Sequence, residues 1–137
     1  MTIPPELIAA LSARDAGRFA EAASLLRPLA ESGHVEAQAH LGSLIMLGLH
    51  RFATEAEVTA WDLTATAAAR AARERDSNGV VEQAMRWLQN ASDHGIGPAS
   101  HNLASAYLAG GGDLPPAERR AKVKELLAKA RPVEHPR

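Results

Sequence analysis

Apolar residues recur at three- and four-residue intervals along most of this 137-residue chain, and glycines interrupt the pattern at regular places. Val81, Ala84, Trp87, Leu88 and Ala91 fall on one face of a helix. Gly95 follows, where a left-handed residue closes a helix C-terminus. Pro98 suits the first turn of the next helix, which carries Ala99, Leu103, Ala104 and Tyr107 on one side and stops at Gly110-Gly111-Gly112. Ala22, Leu26, Leu29, Gly33, Ala37, Leu41 and Ile45 set out the same plan earlier in the chain. The pattern predicts one helical hairpin, used twice.

The two copies keep a fixed register. Ala22 and Ala84 are 84 − 22 = 62 residues apart, and the same offset relates Leu26 to Leu88, Gly33 to Gly95, Ala37 to Ala99, Leu41 to Leu103 and Gly48 to Gly110. Half-units flank them. Pro4 and Pro5 fit a helix start, with Leu7, Ile8 and Leu11 as its apolar stripe up to Asp15-Ala16-Gly17. Pro115-Pro116 opens a last helix with Val123, Leu127 and Ala130 inward, matching Ala84, Leu88 and Ala91 at an offset of 130 − 91 = 39.

An offset of 62 exceeds the roughly 34–47 residues of helical-hairpin repeats, and the excess lies between Gly48 and Val80. There Thr54-Glu55-Ala56-Glu57 has the form of a capping box, and Val58, Trp61, Ala65, Ala68 and Ala72 follow on one face. Arg70, Arg73 and Arg75 suit the C-terminal end of that helix, and Ser77-Asn78-Gly79 stops it. The expectation is an inserted helix at about 54–76 within a single domain spanning 1–131. Residues 132–137 read as a flexible tail.

Composition sharpens this picture. Hydrophobic residues make up 46% but aromatics only 4%, so the core must close through small side chains on helices that approach tightly. Fifteen basic and 16 acidic residues give a formal charge of −1, which offers no basic excess for nucleic acid or an anionic membrane. The basic clusters Arg70-Arg73-Arg75 and Arg119-Arg120-Lys122-Lys124 sit beside acids and lack interleaved aromatics, so they read as solvated faces. Without cysteine there are no disulfides or thiolate sites. No basic-then-apolar leader opens the sequence, no stretch approaches the ~20 apolar residues of a membrane span, and the chain is expected to be cytoplasmic.

Two segments now resemble Sel1-like repeats, relatives of the TPR family. Ala37, Leu41, Gly42, Ile45 and Gly48, then Ala99, Leu103, Ala104, Tyr107 and Gly110, are similar to that family's first helix. Ala84, Trp87, Ala91 and Gly95 resemble its second, and Gly17, Phe19, Ala22 and Leu26 are similar to a TPR helix junction. Ile45 for the usual Tyr, Ala104 for Gly and the insertion depart from the pattern. The resemblance covers roughly residues 4–131. It implies a right-handed α-solenoid of about three hairpins, whose first helices line a binding groove. In the TPR register the groove-facing, partner-binding positions are Leu7, Leu11 and Arg14, then Ala39, Ser43, Met46 and Leu47, then His101, Ser105 and Leu108.

No catalytic constellation stands out. None of His34, His40, His50, His94, His101 and His135 forms an i, i+4 pair, and His34 and His94 read as solvated turn residues. The Gly110-Gly111-Gly112-Asp113 run lacks the strand and lysine of a phosphate loop, and no Gly-x-Ser-x-Gly elbow occurs. Trp61, Trp87 and Tyr107 fall on core faces. No cofactor or metal is expected. The expected role is a non-enzymatic scaffold or adaptor holding a protein or peptide segment, with no nucleic-acid or membrane partner. The alternative is a tight one-to-one inhibitor of a cognate enzyme or toxin, for which Glu55, Glu57 and Asp62 offer a weak acidic face. A third reading, an enzyme or small-ligand protein, would need a deep polar pocket around His101.

Overall fold

The computed structural model describes residues 3–47, 54, 56, 79–108, 112 and 114–130. The inserted helix expected at 54–76, apart from Thr54 and Ala56 themselves, and the tail expected at 132–137 lie outside the described residues. Among the described residues the chain is all-α, with six helices and no strand. They are α1 (Pro5–Asp15), α2 (Phe19–Glu31), α3 (Val35–Met46), α4 (Val80–Asp93), α5 (Gly97–Leu108) and α6 (Pro116–Ala130). No helix among them is long and apolar enough to cross a membrane.

One turn is built three times. After α1, Gly17 donates its N–H to Arg14 O at 3.0 Å and Arg18 donates to Ala13 O at 2.8 Å. After α2, Gly33 bonds Ala30 O and His34 bonds Leu29 O; after α4, Gly95 bonds Ser92 O and Ile96 bonds Ala91 O. This pair of hydrogen bonds closes the last helical carbonyls and requires a left-handed residue at its centre. Gly17, Gly33 and Gly95 supply it, at φ values of 80°, 97° and 87°. A single residue then leads into the next helix, so each turn folds its two helices against each other.

Each helix contributes one fully buried leucine to the core: Leu7, Leu26, Leu41, Leu88, Leu103 and Leu126. Around them the buried positions are mainly alanine, including Ala10, Ala13, Ala22, Ala37, Ala84, Ala91, Ala99 and Ala104. Positions 62 apart take the same place, as with Ala22 and Ala84, Leu26 and Leu88, or Leu41 and Leu103. Consecutive helices pack on one another and α3 also meets α5. The buried residues form two clusters. One is built by α1, α2 and α3 with Ala84 and Trp87 of α4; the other by α4, α5 and α6 with Ala39 of α3. Met46 packs against both.

The end helices are rotated from the orientation that the spacing predicts. In α1 the buried stripe is Leu7, Ala10 and Ala13, Leu11 lies at its margin, and Ile8 is 57% exposed. In α6 the buried pair is Val123 and Leu126, while Leu127, expected inward, is 40% exposed and Ala130 is half-buried. In both helices two large apolar residues are adjacent, and each satisfies a 3–4 spacing. The neighbouring helix selects between them.

The two clusters join where α3 crosses α4, the most extensive helix pair. A Cβ on Gly42 would lie 2.8 Å from Leu88 Cγ and 3.1 Å from the Ala84 carbonyl oxygen. Glycine there lets the backbone of α3 rest against α4. Helix propensity alone favours alanine over glycine by about 1 kcal/mol, so the crossing must outweigh that preference. Gly42→Ala is expected to lower stability by about 1 kcal/mol and Gly42→Leu by about 1–3 kcal/mol in urea unfolding. An alanine variant as stable as the wild type, or more so, would show that the helices do not approach this closely.

Candidate functional site

The ten positions expected to face a partner divide into two groups. Leu7 is 1% exposed and Ala39 is buried, so both belong to the core and present no surface. Met46 is half-buried between the two clusters and acts chiefly as packing. Leu11, Arg14 and Ser43 are half-buried, whereas His101 and Ser105 are exposed. Leu47 and Leu108, at the C-terminal ends of α3 and α5, are 64% and 65% exposed. These are two large apolar side chains facing solvent on helices that touch.

Arg14 and Ser43, both among the expected positions, belong to a polar row along α3 whose other members, His40 and Asn102, were not among them. Arg14 Nη1 of α1 lies 3.0 Å from His40 Nδ1 of α3. An arginine can only donate, so His40 is the acceptor and its Nδ1 carries no proton. Nε and Nη2 of Arg14 also donate to Asp15 Oδ1, at 3.2 and 3.1 Å. One turn further along α3, Ser43 Oγ donates to Ala39 O at 2.8 Å and accepts from Asn102 Nδ2 of α5 at 2.6 Å. His40 and Asn102 are 102 − 40 = 62 residues apart. At the same register, each therefore bonds back to the helix two elements before it. The signal available in the sequence was the paired polar residues at that offset, inside otherwise apolar helices.

Burial pushes the His40 imidazole below its ordinary pKa of 6.5, and the Arg14 guanidinium acts in the same direction. Glu36 and Asp15 oppose them. The lowered pKa and the bond with Arg14 both favour the neutral ring.

A second set of polar links lies within the packed interior and serves the fold. Buried Gln38 donates to Ala30 O at 3.0 Å and accepts from Asn90 Nδ2 at 2.6 Å, tying α2, α3 and α4 together. Ser92 and Ser100, both buried, share a 2.6 Å hydroxyl bond between α4 and α5. His34, expected as a solvated turn residue, is half-buried and caps α3 through Nδ1, which accepts from the Ala37 N–H at 3.2 Å. His94 is exposed at its turn, with Nδ1 2.7 Å from Asn90 O. Among the described residues no three His, Asp or Glu side chains gather closely enough to hold a metal ion.

Comparison of the chain with protein-family models, curated proteins and solved structures returns no match. The residues alone therefore carry the functional reading.

The bond between Ser43 and Asn102 is testable as a pair. A double-mutant cycle of Ser43→Ala and Asn102→Ala, followed by urea unfolding, is expected to give a coupling of about 0.5–1.5 kcal/mol. Strictly additive effects would mean that the two side chains do not bond across α3 and α5.

Proposed function

We propose that this chain is a protein–protein interaction module of the TPR/Sel1-like kind, a scaffold or adaptor without catalytic activity. On this reading its helical hairpins form a right-handed α-solenoid, and α1, α3 and α5 line the face that takes a segment of a partner protein. The observation that carries the proposal is the exposure of Leu47 and Leu108 on adjoining helices, beside a row of hydrogen-bonded polar side chains. Apolar anchors flanked by ordered polar groups suit a peptide or a helix, because the anchors supply affinity and the polar groups fix register. The three turns of identical construction and the matched burial at positions 62 apart support the repeat reading. A cytoplasmic location belongs to the same proposal.

On this reading the binding surface is narrower than the ten positions expected, because Leu7 and Ala39 are buried. Leu11, Arg14, Ser43, Leu47, His101, Ser105 and Leu108 are its candidates, with Leu7, Ala39 and Met46 behind them as support. A Leu47→Glu/Leu108→Glu double variant changes exposed positions only and is expected to keep the wild-type circular dichroism. In affinity capture from the native cell lysate, the wild type is expected to retain a protein that this variant loses. Retention by both would place the contact elsewhere on the chain, and a very tight one-to-one complex would favour the inhibitor reading. Absence of any protein partner would remove the proposal.

A further inference from the structure

The Arg14–His40 contact is the one cross-helix polar bond in this row whose existence depends on a proton. Asn102 and Ser43 carry no titratable group, whereas the His40 imidazole can take up a proton. While His40 Nδ1 keeps its lone pair, Arg14 donates to it across 3.0 Å. Once the ring is protonated, a donor and a positive charge face the guanidinium, and the bond is replaced by repulsion. Among the described residues, the charged groups around the ring are Arg14 and Asp15 from α1 and Glu36 from its own helix. From α5 the nearest member of the row is Asn102, which is uncharged and engaged with Ser43.

The surroundings offer each partner an alternative. Glu36 precedes His40 by four residues on α3, the spacing and order in which a carboxylate stabilises a following cation. Asp15 already holds Arg14 through Nε and Nη2. A protonated His40 thus turns to Glu36 while Arg14 stays with Asp15. Apart from this bond, α1 is held chiefly by α2, against which it buries one leucine and two alanines.

We infer that His40 and Arg14 form a pH-operated latch, closed when His40 is neutral, which fastens α1 to α3 and lets α1 loosen on acidification. The direction agrees with the charge balance at the ring. A histidine whose pKa is lowered in the fold contributes stability that is complete above its unfolded value of 6.5. That stability is lost as pH falls from there through the folded value, because the unfolded chain then binds more protons. The latch is a property of the chain alone. Only its consequence, that Leu11 and Arg14 leave the docking face with α1, rests on the function proposed above.

Hydrogen exchange of the intact chain, corrected for intrinsic rates, tests the latch at about pH 7.5 and about pH 5.5. In the wild type, protection of α1 amides is expected to fall about tenfold more than that of α4 amides, the size of one lost hydrogen bond to a charged group. In His40→Gln, whose side-chain oxygen accepts from Arg14 at either pH, α1 and α4 should change in parallel. In Arg14→Met, α1 should already be weakly protected at the higher pH and change no further. Parallel behaviour of α1 and α4 in the wild type would overturn the latch, and so would an undiminished α1 response in His40→Gln.

Discussion

The structure depends on how closely α3 approaches α4. At Gly42 the helix has no side chain, and Leu88 and the Ala84 carbonyl occupy the space that a methyl group would fill. This contact brings Ala84 and Trp87 into the first cluster of buried residues and Ala39 into the second. The same approach lets Gln38 reach both Ala30 O and Asn90. The helices before residue 48 and after residue 78 are therefore joined chiefly by backbone proximity at this crossing.

An alanine-rich interior gains less from burial per residue than one filled with large side chains, since burial free energy scales with apolar area. With one fully buried leucine per helix, the fold relies on short interhelix distances to bring many small groups into contact. Hydrogen bonds between helices supplement that packing at Gln38–Asn90, Ser92–Ser100 and Ser43–Asn102. The ion pairs are of a different kind. Arg18–Glu21, Arg27–Glu31 and Lys129 with Glu125 and Asp93 all lie at the surface, where such pairs contribute little.

Much of this was legible in the sequence because it is locally encoded. Gly33 and Gly95 announced their turns, since the bond pattern that ends α2 and α4 needs a left-handed residue. The offset of 62 correctly paired buried positions because it compares like with like. The rotation of α1 and α6 was not legible. Leu7 and Ile8, or Leu126 and Leu127, are equally apolar neighbours, and only the adjoining helix decides which is buried. The pairings within the polar row were not legible for a related reason. Arg14 and His40 are 26 residues apart and Ser43 and Asn102 are 59 apart, so no local pattern joins them. Of the expected binding positions, Leu47 and Leu108 are exposed, whereas Leu7 and Ala39 are buried because those helix faces turn inward.

The docking face proposed for α1, α3 and α5 needs α3 and α5 to hold their places relative to one another, to which the α3–α4 crossing contributes. This crossing is expected to make the chain one cooperative unit. Its most direct test is urea unfolding of a Trp61→Phe variant, in which Trp87, buried at the crossing, becomes the only tryptophan. Tryptophan fluorescence then reports the junction while far-ultraviolet circular dichroism reports all the helices. Superimposable transitions are expected for a single unit. A helical signal that persists after the fluorescence change is complete, or that falls before it begins, would show that the chain is not one cooperative unit.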